Sequence, residues 1–194
     1  MPARNKDRLY LTLNHRYHQP GMIYLHYLAT CLHIQHILGY HWSILLAPID
    51  RPEDSVYKDS ICWDITNEGL GPSNWKFRQR GVNQFASVSL IARILLGKFE
   101  VVQHDQTVQT LHNILMAQEI RNNDASFTCR AWVLNSLLSL VNQQIIQLQG
   151  QDMDGLEKRV RDFGDDVMGK IQRHEIDIAA GGVSAIPVLD LRKK

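Results

Sequence analysis

The stretch Ser126-Phe-Thr-Cys-Arg-Ala-Trp-Val-Leu-Asn-Ser-Leu-Leu-Ser-Leu140 places apolar residues at the spacing of a helix with one buried side. Asp124, Ser126 and Thr128 precede them, and short polar side chains of this kind accept hydrogen bonds from the amides of a first helical turn. The pattern therefore predicts that Cys129 lies at or beside a helix start. Because the helix dipole favours negative charge there, Cys129 is either a small core residue or a nucleophile.

A second stretch, Gly39-Tyr-His-Trp-Ser-Ile-Leu-Leu-Ala47, has the alternation of a strand that opens with His41. Residues 60–66 predict another strand, with Asp64 on one face and Trp63 on the opposite face. Facing side chains on paired neighbouring strands lie about 5 Å apart. If the two strands pair, Asp64 can therefore hold the imidazole of His41 in one orientation.

Cys129, His41 and Asp64 together supply the parts of a thiol-based catalytic site. In such a site Cys129 attacks a carbonyl group, and amides at the helix start hold the resulting oxyanion. His41 passes protons, and Asp64 takes the orienting role of the third member of a triad. Three further residues flank this set in the sequence and are candidate substrate contacts: Tyr40, Trp63 and Thr128.

The remaining periodicities complete the prediction of an α+β fold. Further strands are predicted at residues 9–13, 75–78 and 87–96, and further helices at 105–120 and 156–174. Because the strands come first and the helices later, the pattern indicates an antiparallel sheet with packed helices. The tail is either coil or a final short strand at 185–191.

A chain of 194 residues is long enough for one well-packed domain and short for two, so residues 1–194 are predicted to form a single domain. Its core is expected at about 8–141, with an inserted helix at about 22–38 and a C-terminal helix at about 152–174. The apolar stripe of the C-terminal helix is ordinarily a packing surface, but it could equally serve a homodimer.

Composition excludes several classes of function. The net charge of +1 leaves no electrostatic footprint for nucleic acid. Histidine and glutamine interrupt the apolar run at 22–38, so a membrane span is not expected. The three cysteines are widely spaced and odd in number, which fits a reducing, cytoplasmic setting better than a disulfide framework.

Nine histidines raise the question of a metal site. His15 and His18 are close in sequence, and His33 and His36 share one predicted helical face with His26 nearby. Zinc sites usually combine three or four converging ligands, and neither Cys-x-x-Cys nor His-Glu-x-x-His occurs. A Gly-rich phosphate loop is also missing. We therefore expect neither a metal nor a cofactor.

Four segments in order resemble a known fold: Tyr40-His41-Trp42 with its strand, Ile61–Asn67, Val88–Lys98, and Phe127-Thr-Cys-Arg-Ala-Trp-Val133. The order is similar to the circularly permuted papain-like fold, in the branch that holds lecithin retinol acyltransferase and the PPPDE peptidases. More closely, it resembles a family of small uncharacterised fungal proteins with a Tyr-His-Trp strand, a strand ending in Gly-Lys, and an Asn-Cys-x-x-Trp-Val helix. The similarity covers roughly residues 8–141.

This resemblance implies His41 as the base and Cys129 as the nucleophile. The chain departs from the fungal pattern at Asp64, where histidine is common, and at Thr128, where asparagine is usual. The predicted function is a cysteine-dependent hydrolase or acyl/amide transferase that acts on a small molecule or a peptide. Two alternatives stay open: a non-catalytic binding protein of the same fold, and a biosynthetic enzyme that uses the cleft for cyclisation.

Overall fold

The computed structural model describes residues 6–15, 40–48, 60–67, 74–83, 89–149, 152–177 and 186–192. Within these ranges the protein is an α+β structure in which one sheet carries three α-helices. The strands are β1 (Lys6–His15), β2 (Tyr40–Ala47), β3 (Ser60–Thr66), β4 (Lys76–Val82), β5 (Leu90–Glu100) and β6 (Val188–Asp190). The helices are α1 (His104–Met116), α2 (Cys129–Asn142) and α3 (Met153–Gln172). The inserted helix predicted at about 22–38 lies outside the described residues.

The sheet has the strand order β4-β3-β2-β1-β5-β6, and each neighbouring pair is antiparallel except β5 and β6. In the central strand β1, Leu11 lies opposite Ile44 of β2 on one side and opposite Ile94 of β5 on the other. The predicted antiparallel sheet with packed helices is therefore confirmed. The parallel strand β6 shows that the tail forms a short strand rather than coil.

Side chains alternate between two buried faces of the sheet, as the period of two in β2 and β3 predicts. Trp42, Ile44 and Trp63 belong to the main hydrophobic cluster, together with Trp132 of α2. The opposite face holds a smaller cluster, which consists of Tyr10, Leu45, Ala47, Cys62 and Leu95. Helix α2 packs against β2 and β3, which brings its first residue toward the strands that carry the predicted site.

The main differences from the predicted boundaries concern the ends of elements. β5 continues past residue 96 to Glu100, because β1 pairs with it as far as Lys6, whose ammonium lies 2.9 Å from the Glu100 carboxylate. Helix α2 ends before Gln144, which has a left-handed backbone with φ 58°. The next amide, that of Ile145, donates to the Leu140 carbonyl at 2.9 Å, which closes the helix in a Schellman motif.

Candidate functional site

His41 and Asp64 lie on adjacent strands, and their side chains are in contact. The pairing of Ile44 with Trp63 sets the register between β2 and β3. Nε2 of His41 then lies 3.1 Å from Oδ2 of Asp64, which is hydrogen-bonding distance. Asp64 is fully buried, whereas the side chain of His41 is 21% exposed. The contact that the two strand patterns predict is thus present in the structure.

Cys129 is the first residue of α2, and its thiol forms a hydrogen bond with the imidazole of His41. Because Nε2 of His41 is engaged by Asp64, Nδ1 is the ring nitrogen available to the sulfur. Asp64 lies on the face of the sheet that carries Cys62, whereas Cys129 belongs to the main cluster on the helix-covered face. His41, near the start of β2, therefore connects Asp64 on one face of the sheet with Cys129 on the other.

Two arginines of β4 hold the Asp64 carboxylate from the side opposite His41. Arg78 lies directly across from Asp64 and donates from Nε to Oδ1 and from Nη2 to Oδ2, both at 2.9 Å. Arg80 donates from Nη2 to Oδ2 at 3.3 Å. Neither arginine is among the site residues predicted from the sequence. Their period-two spacing on a strand next to the Asp64 strand was the available signal, but only the register shows which residues face one another.

The charges of the three groups depend on one another. Burial alone would raise the pKa of Asp64, but the hydrogen bonds from His41 and Arg78 outweigh it and hold that pKa well below its usual range. Burial likewise would lower the pKa of His41, yet the hydrogen bonds with Asp64 and Cys129 raise it to about 9. His41 is therefore mostly protonated at neutral pH and can pair with a thiolate.

The start of α2 differs in detail from the predicted cap. Thr128 occupies the N-cap position with an extended backbone, but its side chain makes no capping hydrogen bond. Asp124 instead accepts hydrogen bonds from the amide and the hydroxyl of Ser126, at 2.9 and 2.5 Å. The predicted capping by Thr128 is therefore wrong, and Asp124 and Ser126 order the turn that precedes the helix. Helix starts offer amides that lack partners within the helix, and Thr128 does not occupy them.

Tyr40, a predicted substrate contact, is held by α3. Its hydroxyl donates to Oδ1 of Asp165 at 2.7 Å, and its ring lies against Gly164. Burial, followed by the hydrogen bond to Asp165, raises the pKa of Tyr40. Tyr40 therefore links the beginning of the histidine strand to α3, and a substrate-contacting role stays a prediction.

Trp63 and Thr128 complete the set of predicted substrate contacts. The side chain of Trp63 has no exposed surface and lies in the main cluster, on the face of β3 opposite Asp64. The structure therefore places Trp63 in the core, and its contact with a substrate stays a prediction. Thr128 is half-buried and adjoins Cys129, so its position leaves that expectation standing as a prediction.

Cys62 shows what a structural thiol looks like in this protein. It is 4% exposed, lies on the smaller cluster's face, and forms a hydrogen bond with Ser43. Burial, with the nearby charge of Asp64, raises the pKa of Cys62 to about 11. The imidazole that accompanies Cys129 is thus the feature that separates the two described cysteines.

One family model matches residues 6–193, which is nearly the whole sequence. The chain belongs to the family of unknown function DUF6914. The DUF6914 match includes His41, Asp64, Cys129 and both arginines of β4. No curated protein matches the sequence at a significant level, and no solved structure does so either.

Among the residues that the structure describes, no three His, Cys, Asp or Glu side chains are grouped as a metal site would require. His18, His26, His33 and His36 of the histidine-rich segment lie outside those residues. Of the described helices, none has the length and apolar character needed to cross a membrane.

Proposed function

We propose that this member of DUF6914 is a cysteine-dependent hydrolase or acyl/amide transferase, with Cys129 as nucleophile, His41 as base and acid, and Asp64 as the orienting carboxylate. One observation carries the proposal: the imidazole of His41 hydrogen-bonds both to a thiol at a helix start and to a fully buried carboxylate. This is the arrangement that an activated thiol requires, with a base beside the nucleophile and a third group that holds the base.

The chemistry follows from these positions. The sulfur of Cys129 attacks the carbonyl carbon, and amides at the start of α2 stabilise the oxyanion. The His41 imidazolium then gives its proton to the leaving group as the carbon–heteroatom bond breaks, which leaves a thioester on Cys129. Water or an amine attacks the thioester, and His41 accepts the proton of the incoming group. The acid or amide departs as the carbon–sulfur bond breaks, which restores the thiolate of Cys129 beside the imidazolium of His41.

Asp64 supports these steps without reacting itself. Its ionised carboxylate, held by Arg78 and by its burial, fixes the ring of His41 and stabilises the imidazolium form. The proposal includes a fold, the circularly permuted papain-like fold. It is supported by the order of the elements, because the strand with His41 precedes the helix with Cys129 on a mostly antiparallel sheet.

A second candidate function is a non-catalytic binding protein of the same fold, and one observation favours it. Cys129 is only 1% exposed, as expected of a cysteine used for packing. Under the catalytic proposal, a substrate approaches the sulfur of Cys129 past His41, whose side chain keeps 21% of its surface exposed. The two functions therefore differ in whether a small reagent reaches Cys129 in the folded protein.

The deciding experiment is alkylation of the folded protein with limiting iodoacetamide at mildly acid pH, followed by peptide mapping. At about pH 6 an ordinary thiol is almost wholly protonated, so a Cys129 paired with His41 should react faster than Cys31 and Cys62. His41→Ala should slow the reaction of Cys129 by about ten-fold or more without unfolding the protein. Asp64→Asn should slow it less.

His104→Ala is the matched control. His104 lies at the start of α1 with its Nδ1 2.6 Å from Oδ2 of the buried Asp7, so it is a second histidine–aspartate pair on the same sheet. His104→Ala should leave the alkylation rate of Cys129 unchanged. If Cys129 of the wild-type protein reacts only after denaturation, the catalytic proposal fails and the binding protein becomes the better interpretation.

A further inference from the structure

The pairing of β1 with β5 sets two cations directly opposite each other. Lys6 faces Glu100 in this pairing, and its ammonium lies 2.9 Å from the Glu100 carboxylate, which is the arrangement of charges that favours strand pairing. Two residues further along the same face, Arg8 faces Lys98. Like charges at facing positions are destabilising, because their Cβ atoms lie only about 5 Å apart. The pair of Arg8 and Lys98 therefore breaks the rule that the neighbouring pair follows.

A third cation reaches this pair from the C-terminal strand. Asp190 of β6 lies beside Leu95 of β5, and Arg192 follows two residues later. The Arg192 guanidinium donates to the Asp190 carboxylate from Nε at 2.9 Å and from Nη2 at 2.5 Å. Desolvation, followed by the charges of Arg192 and Arg8, lowers the pKa of Lys98, and the opposing effect of Asp190 is smaller than that of either cation. Lys98 therefore lies in a positive field to which both arginines contribute.

Arg8, Lys98 and Arg192 form a cation cluster that is open to solvent and anchored in the sheet. Lys98 is exposed, and the two arginines are half-buried. Nη1 of Arg8 lies 3.5 Å from the hydroxyl of Tyr10, a residue that is only 2% exposed. The ring of Tyr10 also carries the guanidinium of Arg93, with Cζ 5.3 Å from the ring centroid. The cluster therefore combines a fixed base with cations that a solute can reach.

The cation cluster lies far from the candidate catalytic site. Arg8 is near the start of β1, whereas the residue opposite His41 is Asn14, near the end of the same strand. Six residues of strand separate the two positions, which corresponds to about 20 Å. The cluster is therefore a separate feature of the sheet, and the proposed chemistry of Cys129 does not account for it.

We propose that Arg8, Lys98 and Arg192 bind an oxyanion of the phosphate type, either the free ion or the phosphate group of a small molecule. Two guanidinium groups and an ammonium offer donors to several oxygens of one anion, and the planar fork of arginine binds phosphate through two parallel hydrogen bonds. A phosphate held between Arg8 and Lys98 replaces their mutual repulsion with attraction to a shared anion. This inference is independent of the proposed function.

Lys98→Glu tests the proposal without endangering the fold, because it recreates the opposite-charge pairing of Lys6 with Glu100. In chloride buffer that contains no phosphate, Lys98→Glu should raise the melting temperature, since Arg8 then faces an anion. If another carboxylate of the chain already neutralises Arg8 and Lys98, this gain is absent and the inference is wrong.

Binding is measured with inorganic phosphate, which is titrated against chloride at constant ionic strength. The melting temperature of the wild-type protein should rise and saturate, because a ligand of the folded state stabilises it by mass action. Lys98→Gln should weaken the apparent affinity for phosphate by about three- to ten-fold, the scale of one charge removed at close range, and Lys98→Glu by about ten-fold or more. Arg8→Lys keeps the charge but loses the fork, so it should retain part of the affinity.

Lys170→Gln is the matched control. It removes an equal charge from α3, where the Lys170 ammonium lies 2.7 Å from the Asp166 carboxylate, and should leave the affinity for phosphate unchanged. The general stabilising effect of phosphate on folded proteins acts on every variant alike. Glycerol 3-phosphate that binds more tightly than inorganic phosphate supports a site for a phosphate ester, and the reverse order supports a site for the free ion. An equal response to phosphate in wild type and Lys98→Glu would overturn the inference.

Discussion

Nε2 of His41 lies 3.1 Å from Oδ2 of Asp64, a carboxylate with no exposed surface that also receives the fork of Arg78. Desolvating a carboxylate is costly unless its oxygens are paired, and here both oxygens are paired. The contact between His41 and Asp64 is therefore part of what stabilises the fold as well as part of the proposed site. Mutations at Asp64 should consequently change stability and reactivity together.

The first prediction concerns stability in acid. The pKa of Asp64 is depressed in the folded protein, so its contribution is present above the ordinary aspartate pKa of 3.8 and is lost as pH falls below it. Between about pH 6 and pH 2 the wild-type protein should lose roughly 2 kcal/mol more unfolding free energy than Asp64→Asn. Urea denaturation of both proteins across this range measures the difference.

Asp190→Asn provides the comparison for Asp64. Asp190 pairs with Arg192 at 2.5 Å, and its pKa is lowered to about 2, but its side chain is 38% exposed. Solvent screening limits such surface pairs to about 0–1 kcal/mol. If wild type and Asp64→Asn lose the same unfolding free energy as the pH falls, the buried carboxylate contributes no more to stability than a surface pair of this kind.

The second prediction concerns Gly164 of α3. A Cβ atom at this position would lie 2.6 Å from Cδ1 of Leu13 and 3.0 Å from Cε2 of Tyr40, which is closer than side chains tolerate. Gly164→Ala should therefore destabilise the protein by about 1–3 kcal/mol through overpacking, although alanine is the better helix former. Thermal or urea unfolding measures the change, and a shift of Tyr40 would also alter the proposed site.

Gly169→Ala in the same helix is the matched substitution. Its Cβ would approach only Nη1 of Arg173, at 3.1 Å, and the end of a flexible side chain can move away. Gly169→Ala should be neutral or stabilising by up to about 1 kcal/mol. Equal effects of the two substitutions would show that contact with β1 and β2 does not determine the residue at position 164.

The third prediction concerns the link between Trp75, the residue before β4, and the segment after α1. Oδ1 of Asn122 accepts from the Trp75 amide at 2.7 Å, and Nδ2 of Asn122 donates to the Trp75 carbonyl at 3.3 Å. Asn122→Ala leaves both backbone groups of a buried residue without this partner and should cost about 1–2 kcal/mol. The exposed neighbour Asn123, changed to alanine, should have little effect on urea unfolding.

The fourth prediction concerns Cys62 as a structural thiol. Burial raises the pKa of Cys62 to about 11, so at about pH 8 the folded protein should hold it almost wholly as the unreactive thiol. Quantitative labelling with and without urea should show that Cys62 reacts only on unfolding. If Cys62 of the folded protein reacts as fast as Cys129, then the imidazole of His41 does not set thiol reactivity in this protein.

Local periodicity determined much of the architecture. The alternation in residues 41–47 and 60–66 identified two strands and assigned Trp63 and Asp64 to opposite faces, because successive side chains of a strand point to opposite sides. Helical spacing after residue 126 likewise placed Cys129 at a helix start. These features depend on neighbours in sequence, and the sequence by itself was sufficient to predict them.

Only the tertiary structure decided which predicted parts meet. Arg78 faces Asp64 because β4 pairs with β3 in one register, and Tyr40 binds Asp165 because α3 crosses the start of β2. Trp63 packs in the main cluster because α2 covers its face of the sheet. Strand order, register and helix docking are set by the burial of the whole core, and no local repeat in the chain encodes contacts between distant segments.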